Sequence, residues 1–124
     1  MSGPNAWHWG HTFALDSSVA SDRASAISFL FGSNVSNHKV LGKIRELLRD
    51  SDASVRTEAT QFIACQCKPE DRERLLSLIG DTCPQVCAYA ILGLKRIDPE
   101  ILKQASFKSR FKNETDAFVL NCLS

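Results

Sequence analysis

The sequence predicts an all-α fold, a short α-solenoid of stacked antiparallel helix pairs, and three observations predict it. Apolar residues recur at helical spacing from Lys39 onward, no segment alternates as a strand for more than a few residues, and the chain matches itself when Leu47 is laid on Leu78. A period of roughly 30 residues lies within the range of solenoid repeats. At 124 residues the chain is sized for a single domain, residues 1–124.

Residues 1–38 hold every histidine, both tryptophans and only the charges Asp16, Asp22 and Arg23. Trp7, Trp9, Phe13 and Leu15 are expected to cover the N-terminal end of the stack. Val40, Leu41, Ile44, Leu47 and Leu48 form the apolar stripe of a helix that Ser36 or Asn37 would cap and that stops near Asp50. Val55, Ala59, Phe62 and Ile63 repeat the stripe in a second helix ending near Gln66, which completes a hairpin. Pro69 suits the first turn of a third helix, with Glu70, Asp71 and Glu73 at its positive end. Leu75, Leu76, Leu78 and Ile79 are its buried side, and Gly80 is expected to end it in the left-handed conformation. A fourth helix starts at Pro84 and buries Val86, Ala90, Leu94 and Ile97. Asp98 and Pro99 open a fifth, with Ile101, Leu102 and Ala105 inward. Asn113 or Thr115 would cap a sixth, carrying Phe118, Val119, Cys122 and Leu123.

The repeat is carried by named positions. Leu47, Leu48, Asp50, Val55, Ala59 and Ile63 fall on Leu78, Ile79, Asp81, Val86, Ala90 and Leu94. A weaker copy places Phe111, Asn113, Phe118 and Cys122 under Ile79, Asp81, Val86 and Ala90. In the other direction Arg23, Ala26, Phe29 and Leu30 stand where Arg56, Ala59, Phe62 and Ile63 do. The chain therefore reads as an aromatic cap segment (1–20), a degenerate first repeat (21–37), two full repeats (38–67 and 68–97) and a partial terminal one (98–124).

Composition narrows the function. With 44% apolar and 23% charged residues, disordered, collagen-like and membrane-protein classes are disfavoured. A formal charge of +1 excludes binding to DNA or membranes by bulk charge alone. The first residues lack the Lys or Arg of a secretory signal, and the longest apolar run, Ala88 to Leu94, falls far short of the ~20 residues that span a bilayer. Five cysteines, an odd number partly placed in helices, suit free thiols in a reducing compartment, so a cytoplasmic location is expected.

No nucleophile elbow, phosphate loop or metalloprotease motif is present, so no catalytic residue is assigned and no cofactor is expected. Cys65-x-Cys67 and Cys83-x3-Cys87 superficially resemble a zinc site, but Cys65 and Cys67 project about 200° apart on a helix and would converge only if that helix ended between them. Small apolar fillers are the simpler reading. His8 and His11 share one side of a turn, yet two ligands do not make a metal site, and His38 reads as a helix-start residue. Between residues 95 and 112, Lys95, Arg96, Lys103, Lys108, Arg110 and Lys112 face only Asp98 and Glu100, and Phe107 and Phe111 alternate with the cations. That pattern suits nucleic acid or an acidic partner, or else a solvated helix end with Phe111 buried.

The run from Leu47 to Ala59, with its Asp50, Val55 and Arg56, resembles the turn and second helix of a HEAT-like repeat, and Leu78 to Ala90 is similar with Asp81, Pro84 and Val86. The resemblance covers roughly residues 38–124 and implies a polar ladder in which Arg56 joins Asp50 or Asp81. Cys87 stands where the second copy would carry the next arginine. Second helices of such repeats line the concave side, which implies Thr57, Gln61, Ala88, Tyr89 and Lys95 as exposed binding positions, Tyr89 first among them. The expected function is a non-catalytic module that binds another protein. Nucleic-acid binding through Lys108, Arg110 and Lys112 is the alternative, and an enzyme or enzyme subunit, of the HEAT-like lyase or glycosylase kind, a third. The apolar helix around Phe118 to Leu123 leads to the expectation that a second chain, as in a homodimer, or further repeats of a longer array cover the C-terminal edge.

Overall fold

The computed structural model describes residues 14–31 and 38–124. Among them it has seven α-helices and two 3₁₀ turns and no strand: α1 (Ala20–Leu30), α2 (His38–Leu47), α3 (Ala53–Gln66), a turn at Pro69–Asp71, α4 (Arg72–Leu78), α5 (Pro84–Ile97), a turn at Pro99–Lys103, α6 (Ala105–Arg110) and α7 (Ala117–Leu123). The chain is all-α, as its periodicity predicts. Trp7, Trp9, His8, His11, Phe13 and the caps expected at Ser36 and Asn37 lie outside the described residues.

Two compact units divide between Phe62 and Ile63, within α3. In the first, every residue of the α2 stripe is buried: Val40, Leu41, Ile44, Leu47 and the following Leu48. Val55, Ala59 and Phe62 are buried on α3, and Ala26, Ile27 and Leu30 on α1. Phe29 breaks the alignment with Phe62, because it is 55% exposed. Phe31, two residues on and still 38% exposed, meets Phe62 edge-on, ring centroids 6.4 Å apart. The two helices of the hairpin are separated by a turn in which the Asp50 carboxylate accepts the Asp52 N–H at 2.9 Å, while Asp52 itself accepts from Ser54 at 2.9 Å and Val55 at 3.2 Å to start α3.

In the second unit α5 is the central element, packed against α4, α7 and the Pro99–Lys103 turn. Neighbours on several sides bury Val86, Cys87, Ala88, Ala90, Ile91, Gly93 and Leu94, more than a single stripe. Ile91 and Leu94 are fully buried, each worth about 1.5–3 kcal/mol by area removed from water. Gly93 allows the closest approach: a Cβ there would lie 2.7 Å from Leu75 Cδ1 and 3.1 Å from Ala64 Cα.

Several expected details differ. The third helix opens as a 3₁₀ turn at Pro69–Asp71 before α4 proper. Gly80 does not take a left-handed conformation; what it supplies is room, since a Cβ there would lie 2.5 Å from Arg110 Nη2. Among the non-glycine residues described, the left-handed one is Cys67, φ 54°, just after α3. The fifth helix is broken into a 3₁₀ turn and α6 by an extended Gln104, which leaves Ala105 exposed. Ile101 and Phe107 would sit about 120° apart on one continuous helix, and the break lets both be buried. The cap of α7 is Asp116, not Asn113 or Thr115; its carboxylate accepts from Phe118 N at 2.9 Å and Val119 N at 3.1 Å.

Candidate functional site

Tyr89 is half-buried on α5, and its ring stands edge-on to Phe118 of α7 at 5.6 Å and 88°. The cap at Asp116 sets the rotation of α7, so that Val119 and Cys122 face inward while Phe118 and Leu120 remain 38% and 44% exposed. Tyr89, Phe118 and Leu120 thus place apolar surface on α5 and α7 in contact with solvent. Lys95 does not stand free beside them. Its Nζ donates to the carbonyls of Cys122 at 3.1 Å and Ser124 at 2.7 Å, where a cation satisfies the orphan acceptors and the negative end of α7. Ala88, expected to face solvent, is fully buried, because α5 is covered on more sides than one repeat face requires. In the first unit Thr57 and Gln61 are half-buried, and the Thr57 hydroxyl donates to the Ala53 carbonyl one turn back at 2.8 Å.

The basic segment is partly absorbed into the fold. Lys95 caps α7, Arg96 approaches Cys65 at 3.9 Å, and Lys103 pairs with Glu100 at 3.2 Å. Phe107 is buried and Phe111 half-buried against it, ring centroids 5.2 Å apart, so the rings serve the core. Lys108, Arg110 and Lys112 remain exposed. Arg110 lies over Gly80, at a cleft of about 210 Å³ whose lining includes Asp81, Thr82, Cys87 and Glu114. Burial first, then the negative charge of Glu114, pushes the Cys87 thiol up to about 11, with Arg110 acting in the opposite sense. Cys87 donates to the Ile79 carbonyl at 3.2 Å and is protonated at neutral pH, so it is no nucleophile there.

The implied ladder residues are placed as follows. The Asp50 carboxylate is gripped by Arg23, whose Nε and Nη2 donate at 2.8 and 2.9 Å. Arg56 reaches the main chain of the same turn, donating to the carbonyls of Asp50 at 3.0 Å and Ser51 at 3.2 Å. Asp81 accepts the Cys83 N–H at 2.8 Å, which repeats the turn made at Asp50. The Arg23–Asp50 pair is the feature that sequence reasoning missed. Its signal was present, since Arg23 aligns with Arg56 one repeat earlier.

The four cysteines of the zinc-like pattern do not gather: Cys87 bonds Ile79, Cys83 lies beside Gln85 at 3.2 Å, and Cys65 lies near Arg96. Among the described residues no group of three or more His, Cys, Asp or Glu side chains is placed to hold a metal ion, and no helix is long and apolar enough to cross a membrane. No protein-family model and no curated protein matches the chain.

Proposed function

We propose that the chain is a non-catalytic module that binds another protein through a helical surface, its helix pairs arranged as a short solenoid of the HEAT-like kind. The observation that carries the binding reading is the pairing of Tyr89 with a partly exposed Phe118, on a helix, α7, that also leaves Leu120 exposed. Aromatic side chains present large contact area with little entropy to lose, and tyrosine is enriched where binding energy concentrates. The repeat reading is supported by the equivalent Asp50 and Asp81 turns, each preceding a long helix with buried valine and alanine at matching positions. A second copy of the chain is one candidate occupant.

Affinity purification of the intact chain at moderate and high salt tests the proposal, with Leu120→Asp and Tyr89→Ala run in parallel. A defined protein retained at both salts and lost with either substitution is the expected result. The exposed Lys108, Arg110 and Lys112 favour a second reading, an anionic partner. Nucleic acid recovered only at moderate salt, and lost when those residues become Glu, would establish that reading in place of the first.

A further inference from the structure

We propose that Cys65 and Cys67, with Arg96 beside them, form a two-thiolate site for a soft monovalent metal ion, copper(I). On an uninterrupted helix the two side chains would diverge by about 200°. Here α3 ends at Gln66, between them, and Cys67 swings out of the helix at φ 54°. Both thiols then reach one guanidinium. Arg96 Nη1 lies 3.9 Å from Cys65 Sγ, and Cys67, whose thiol also donates to the Ala64 carbonyl at 3.5 Å, is the other side chain paired with the same guanidinium. Both cysteines are exposed, whereas Cys87 and Cys122 are buried. A glycine would make the left-handed turn after α3 with less strain; a cysteine there makes the same turn and adds a sulfur next to the first.

The ligand set selects the ion. No third protein ligand joins the pair among the described residues, which removes the tetrahedral cage that zinc requires. Thiolates are soft donors, and copper(I) is the ion they select when few ligands are available. The charge also balances: a monovalent ion on two thiolates carries one net negative charge, which Arg96 neutralises. A divalent ion would leave a neutral complex facing an uncompensated guanidinium. Binding is a ligand exchange with no change of oxidation state, in which two S–H protons go to solvent and two copper–sulfur bonds form.

The test is anaerobic titration of the reduced full-length chain with copper(I) alone, in competition with a chromophoric copper(I) chelator. One ion per chain is expected, with two sulfur neighbours in X-ray absorption. Cys65→Ser and Cys67→Gly should each weaken binding by more than about a hundredfold, beyond the ten- to hundredfold range of outer-shell groups. Cys67→Gly suits the backbone at this position, so its loss of binding is not a loss of fold. Arg96→Gln should weaken binding about tenfold and Arg96→Lys restore most of it, since the charge is what the complex needs. Cys83→Ser should change nothing. Undiminished copper(I) binding by Cys67→Gly, a single sulfur neighbour, or displacement of copper(I) by an equivalent of zinc would overturn the proposal.

Discussion

Asp50 is held almost out of solvent, its side chain 8% exposed and that of Arg23 15%. The Arg23 guanidinium holds the Asp50 carboxyl below the usual carboxylate range, against the opposing effect of burial, and the Asp52 N–H adds to it. Because the folded pKa is depressed, the stabilisation is present above the unfolded value near pH 4 and is lost as pH falls through the folded one. Asp50→Asn should therefore destabilise the chain by about 1–3 kcal/mol at pH 7, with the difference closing below about pH 4. Urea unfolding across that range checks it, and a difference constant down to pH 2 would sink it. Thiol reactivity is the second residue-scale prediction. At pH 7.5 iodoacetamide should label the exposed Cys65 and Cys67 and spare Cys87, whose thiol stays neutral until about 11. The neutral Cys87 thiol favours the fold below its ordinary value, and that contribution is lost as pH rises toward 11. Peptide mapping of the alkylated chain decides the order.

Two elements depend on single residues. The contact of α5 with α4 passes through Gly93, where a new Cβ would collide with Leu75 Cδ1 at 2.7 Å and with the last turns of α3 at Ala64. The Leu75 side chain can rotate, but the Ala64 main chain cannot yield without moving the helix. Gly93→Ala should consequently cost about 1–3 kcal/mol by overpacking, even though alanine is the better helix former. The short α7 depends on its cap: Asp116→Ala removes the acceptor for two main-chain N–H groups and should cost about 1 kcal/mol. The first change should lower the thermal midpoint of the chain as a whole. The second should also free the Lys95 clamp at the other end of α7, so hydrogen exchange at residues 117–123 should rise beyond what global destabilisation explains.

Among the described residues, the large apolar side chains left exposed lie on α7, at Phe118 and Leu120, and at α1 and its two ends, at Val19, Phe29 and Phe31. Leu120→Asp touches no buried group and should alter stability by less than about 0.5 kcal/mol. If the exposed side of α7 that carries Leu120 serves binding, the same substitution should abolish partner retention or self-association, read by sedimentation of wild type and variant side by side. Unchanged sedimentation together with unchanged retention would remove α7 from the interaction surface. The weak net charge makes the basic segment a local feature at most, and Glu100 and the carbonyls of α7 already engage part of it.

The helices were legible because apolar spacing records a demand that each segment meets on its own: one face must leave water, and Val40, Ile44 and Leu48 or Val86, Ala90 and Leu94 say which. The repeated aspartate turns were legible for the same local reason, a carboxylate closing on a main-chain N–H two residues later. Much of the candidate site was not, because it depends on which helix ends meet. Nothing near Lys95 in sequence tells that its ammonium reaches the carbonyls of α7, nothing near Gly80 that Arg110 lies over it, and nothing near Ala88 that a further neighbour covers it. The pairing of Arg23 with Asp50 and the turning of Cys65 and Cys67 toward one guanidinium belong to the same class. The sequence by itself determined the all-α class and the inward face of most helices, since periodicity is a property of a segment. Only the tertiary structure decided which polar and aromatic side chains were left for solvent, because that depends on what packs against them.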